Sequence, residues 1–72
     1  MSEKFFLEKI VDIADIENEI TMDTILADLE EWDSLSLVSF IAFAKASGAR
    51  DITVGKVREA ETIRDLYELL NL

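Results

Sequence analysis

Apolar residues recur at every third or fourth position in three stretches of this chain, and no proline interrupts any of them. That spacing marks helices with one buried face. In "SEKFFLEKIVDIADIE", Phe6, Leu7, Ile10, Ile13 and Ala14 form such a stripe, with Ser2 placed to cap it. A second helix starts at Asp33 or Ser34 and runs to about Ser47, with Gly48 as its stop. Its inward stripe is Leu37, Phe40, Ile41 and Ala44, and Gly48 continues that line. "TIRDLYELLNL" is the last helix, with Ile63, Leu66, Tyr67 and Leu70 inward and Thr62-Ile63-Arg64-Asp65 in the form of a capping box. "DITVGKVREAE" reads as a connector and a short helix, with Ile52, Val54 and Val57 inward and Lys56 and Arg58 outward. The expected fold is all-α: one domain over residues 1–72, a small four-helix bundle of three longer helices and a short one.

The stretch "NEITMDTILADLEEWD" has no sustained period. Ile20, Ile25, Leu26 and Leu29 would pin it to the bundle, with room for one helical turn. A loop of that length in so small a domain should be anchored or have a function.

Several function classes lack the residues they need. Cysteine and histidine are both absent, which removes disulfides, thiol chemistry and any Ser-His or Cys-His pair. An enzyme would have to work with carboxylates or lysines in a chain too small to enclose a substrate, so catalysis is not expected. No apolar run approaches the roughly 20 residues that cross a membrane. The amino terminus lacks a basic stretch followed by an apolar one, so the expected location is the cytoplasm.

Net charge is −9. Residues 1–33 hold eleven acids and two bases, residues 34–72 five of each, so the whole excess precedes Ser34. Phosphates would repel such a chain, and nucleic acid is not an expected partner. A solvated, solubilising surface suffices to explain the charge.

At "EEWDSLSLVSFIAFAKASG" the acidic run gives way to a helix whose outer face is uncharged. Leu35, Val38, Ser39, Ala42 and Ala46 cluster there, where a surface helix normally carries charge. Such a face is either buried on both sides or a docking surface. Ser34 falls in the first turn, where unpaired N–H groups and the helix dipole favour an anion. Asp33 can cap the helix and leave the Ser34 hydroxyl free. The plain alternative is that Ser34 is itself the cap.

Trp32-Asp33-Ser34-Leu35 resembles the attachment motif of acyl carrier proteins, whose motif serine carries 4′-phosphopantetheine. "LADLEEWDSLSLVSFI" looks like that family's loop, motif and second helix. Ile52, Val57, Thr62, Ile63 and Leu66 fall where the family places its later core and cap positions, and the likeness extends from about Phe6 to Leu70. The resemblance implies a bundle of acyl-carrier-protein type with phosphopantetheine on Ser34, Asp33 and Leu35 completing the motif. It also implies a thioester cargo, a phosphopantetheinyl transferase using coenzyme A, and acyl-loading and acyl-using enzymes as partners of a monomer. The termini look like those of a freestanding carrier, with a domain of a larger synthase as the alternative.

Two departures from the family pattern shape the expectations. Family members often carry acids along the second helix, whereas the matching outward positions here hold Ser36, Ser39, Ala42, Lys45 and Ala46. Dedicated partners meeting Leu35, Val38, Ser39 and Ala42 by shape and burial are therefore expected. Gly48 stands in an inward position where the family usually places an aromatic, while Phe40 and Phe43 lie further up the helix, and a modest cavity favouring short or polar cargo is expected. The competing function is an unmodified helical interaction module that uses the same apolar face.

Overall fold

The computed structural model describes residues 1–70. Among these, four α-helices follow in order: α1 Glu3–Ala14, α2 Ser34–Ala46, α3 Val54–Glu59 and α4 Ile63–Leu70. A single 3-10 turn, Leu26–Asp28, lies in the long connection from α1 to α2. α2 packs against α1 and α3, and α4 closes against the same two helices. The expected small all-α bundle is what the chain forms. Asn71 and Leu72, read from sequence as the end of the last helix, lie outside the described residues.

Ser2 caps α1 as expected, accepting a hydrogen bond from Phe5 N–H at 3.1 Å. The helix ends at Ala14, three residues short of the stretch read as helical. Asp15 turns left-handed at φ 53°, and Ile16 N–H reaches back to the Val11 carbonyl at 3.1 Å. Asp tolerates that conformation better than most residues, and the turn drives Ile16 into the core.

The long connection is anchored mainly through its backbone. Leu26 N–H donates to Glu61 O at 2.9 Å, while Ile63 and Arg64 N–H donate to Thr24 O and Met22 O at 3.1 and 2.8 Å. Carbonyls of the loop thus satisfy first-turn N–H groups of α4 that have no partner within the helix. Arg64 reinforces the tie through Asp23 at 3.3 Å and Glu3 at 3.5 Å. Ile20 and Leu26 are buried anchors, as expected, and Met22 joins them. Ile25 is not an anchor. It is 45 % exposed, because its backbone bridges to Thr62 and turns the side chain outward.

The capping box of α4 forms as written in the sequence. Asp65 N–H donates to Thr62 Oγ1 at 3.2 Å, and the Asp65 carboxylate accepts from Glu61 and Thr62 N–H at 2.9 and 3.1 Å. Thr53 caps α3, Val57 points inward, and Lys56 and Arg58 are exposed. Val54, expected inward, is instead exposed at the first position of this six-residue helix.

Phe6 and Phe40 are fully buried at the centre, edge to face with ring centroids 6.1 Å apart. Tyr67 packs on Phe6 at 4.9 Å and Trp32 on Phe40 at 6.1 Å. Such aromatic pairs add to what their area burial alone contributes. Gly48 does not point inward. It faces solvent at φ 102°, a Cβ there would meet nothing within 4 Å, and Ala49 is the residue that turns into the core.

Candidate functional site

α2 begins abruptly because Asp33 is extended (φ −124°, ψ −170°) and caps the helix with both main chain and side chain. Its Oδ1 accepts from Ser36 N–H at 2.9 Å, and its carbonyl accepts from Leu37 N–H at 3.0 Å. Ser34 is consequently the first helical residue. It is exposed, and its hydroxyl has no hydrogen-bond partner among the described residues. The cap is Asp33, and the serine is spare.

Ser36 is the correction to the sequence reading, which set it outward. It is 4 % exposed, on the same i, i+4 line as Phe40 and Ala44. Its hydroxyl lies 2.9 Å from Glu31 O and 3.1 Å from Asp33 Oδ1, so its one proton serves either acceptor. A polar pin thus fastens the acidic loop to the start of α2. The signal was present in the spacing, although a serine among apolar residues reads more readily as surface.

The backbone N–H of Ser36, helped by its hydroxyl, holds the Asp33 carboxyl below the usual carboxylate range. The N–H groups of Glu61 and Thr62 do the same to Asp65. A depressed folded value means that the stabilisation is complete above the ordinary Asp range and fades as pH falls through the lower folded one. Acid unfolding followed by circular dichroism should therefore be steeper in the wild type than in the Asp33→Asn/Asp65→Asn double variant. Equal slopes would show that these caps carry no linkage.

Leu35 is 75 % and Val38 59 % exposed, and Ala42 and Ala46 are open on the same side of α2. Ser39 is only half-exposed at the edge of this face. The apolar face is therefore uncovered within the chain rather than buried on both sides. Next to the start of α2, Asp15, Glu17, Glu30, Glu31 and Asp33 border one shallow depression, which concentrates the acidic excess beside Ser34.

On another side of Ser34 an open groove of about 420 Å³ runs between the 3-10 turn, the start of α2 and α3. Leu26, Trp32, Leu37 and Val57 line it, and Arg58 lines it as well. Trp32 and Leu37 occupy the two positions of a hydrophobic staple around the Asp33 cap, which fixes how the chain enters the helix. Sequence reasoning placed Arg58 outward but gave no hint that it shares a groove with Ser34.

Among the described residues no cluster of acids is arranged to hold a metal ion, and no helix is long and apolar enough to cross a membrane. Comparison with family models, with curated proteins and with solved structures finds no match to this chain.

Proposed function

We propose that the chain is a carrier protein of the acyl-carrier class, and that its working group is 4′-phosphopantetheine on Ser34. One observation carries this reading: the Ser34 hydroxyl is exposed and unused among the described residues, because Asp33 does the capping. The resemblance of Trp32-Asp33-Ser34-Leu35 to the carrier attachment motif gives that spare hydroxyl its chemistry. The local structure fits the group, since a transferase can approach Ser34 from solvent without displacing a hydrogen bond.

In the attachment step Ser34 Oγ attacks the phosphorus that bears the pantetheine half of coenzyme A. Its proton passes to a base of the transferase, and the nucleotide half of coenzyme A leaves. The attached group supplies a thiol on a flexible arm, on which acyl or aminoacyl cargo rides as a thioester. The chain itself supplies placement and recognition. Asp33, pinned by Ser36, keeps the first turn of α2 in register, and Leu35, Val38 and Ala42 meet the transferase and the acyl-handling enzymes.

Because the chain has no cysteine, a thiol assay reads the modification directly. Incubation with coenzyme A and a broad-specificity phosphopantetheinyl transferase, followed by removal of free coenzyme A, should raise reactive thiol from none to one per chain. A chain that stays without thiol would favour the unmodified interaction module, which would use the same apolar face.

The face can be tested separately. Leu35→Gln removes an exposed apolar contact and keeps helix propensity, so unfolding free energy should change by no more than about 0.5 kcal/mol. The rate of modification should fall by about tenfold, the equivalent of one interface contact worth about 1.4 kcal/mol. An unchanged rate would remove Leu35 from the recognition face.

A further inference from the structure

We infer, on the basis of the carrier reading above, that Arg58 is a positioning residue for the arm on Ser34. Its guanidinium pairs with the phosphodiester and turns the arm into the groove over Leu37 and Val57. Ser34 and Arg58 border the same groove of about 420 Å³, a size within the range of small-ligand sites. A phosphate on Ser34 Oγ therefore borders the same groove that Arg58 lines.

Arg58 is available for this role. Among the described residues it makes no ion pair, whereas Arg64 is engaged by both Glu3 and Asp23. The acid that shares the groove, Asp33, has its carboxylate committed to Ser36. A phosphodiester is an anion with oxygens spaced for the planar fork of a guanidinium, which a lysine ammonium matches only as a point charge. Beyond the charged end the lining is largely apolar, from Leu26, Trp32, Leu37 and Val57, which suits the methylated part of pantetheine. Charge complementarity and covalent continuity with Ser34 both point to the chain's own arm as the occupant.

Val57 anchors α3 in the core while Arg58 stays exposed, so substitutions at Arg58 should leave the fold intact. The test compares wild type, Arg58→Gln and Arg58→Lys, each treated with coenzyme A and transferase and checked by intact mass. NMR then follows the Trp32 indole N–H, the phosphorus resonance of the arm and, in wild type, Arg58 Nε–H. Conversion should shift the Trp32 and Arg58 signals in wild type, and the phosphorus resonance of the attached arm should differ between wild type and Arg58→Gln. The Trp32 shift should be lost in Arg58→Gln and partly restored in Arg58→Lys. Complete modification with an unmoved Arg58 Nε–H, or with the same Trp32 shift in wild type and Arg58→Gln, overturns this inference alone. No mass gain in any of the three overturns the carrier reading and this inference together.

Discussion

Phe40→Ala should lower the unfolding free energy by about 3–5 kcal/mol, the usual cost of truncating a buried phenylalanine. A chain of 72 residues has only about 4–11 kcal/mol in total at the common per-residue scale. The melting midpoint should fall by about 12–40 °C, since each kcal/mol moves a domain of this size by several degrees. The effect is large because Phe40 is fully buried and pairs with three other rings, Phe6, Trp32 and Phe43. Phe6 meets it edge to face, and Trp32 leans on it just ahead of the Asp33 cap. Truncation therefore opens the centre of the bundle and loosens the entry to α2 together. Thermal unfolding by circular dichroism measures this, with Trp32 emission as a second probe. A midpoint that moved by only a few degrees would mean that Phe40 does not hold α2 onto α1.

The second large effect is chemical. Ser34→Ala should abolish modification completely, because no neighbouring hydroxyl can substitute. Ser36 is buried and its proton is engaged by Glu31 O or Asp33 Oδ1. Ser39 sits a full turn beyond Ser34 and is half-buried. Ser36→Ala should keep one modified site per chain while losing about 1 kcal/mol of stability, the typical net worth of a hydrogen bond. Ser34→Ala should keep its stability and lose the site. That reversal separates the two serines. Modification persisting in Ser34→Ala would place the attachment elsewhere.

Most of the fold was legible because helix periodicity is a local signal. The stripes of Phe6 and Ile10, of Leu37, Phe40 and Ala44, and of Ile63 and Leu66 all became core. Caps at Ser2 and Thr62 were legible for the same reason, since each is set by residues within one turn, and Asp33 was one of two candidates for α2. Contacts across the chain were not. Ile25 faces out because its neighbours Thr24 and Leu26 bond to Ile63 and Glu61, far along the sequence. Met22 enters the core, and its carbonyl receives Arg64 N–H from α4. Asp15 ended α1 early through a left-handed turn that no glycine announced.

Errors at the site follow the same division. Adjacent residues offered Asp33 and Ser34 as competing caps and left the choice open; the extended backbone of Asp33 decides it. Ser36 was misplaced because its partner, the Glu31 carbonyl, belongs to a loop whose path has no period. Gly48 was set inward by extending a stripe past the end of α2, where φ 102° breaks the helical angle and hands the inward direction to Ala49. Arg58 entered the picture only once α3 had packed beside the start of α2.

The most direct test weighs the intact wild-type chain after exposure to coenzyme A and several broad-specificity phosphopantetheinyl transferases. A single added phosphopantetheine group on a well-folded protein is expected. A folded chain whose mass never changes would contradict it.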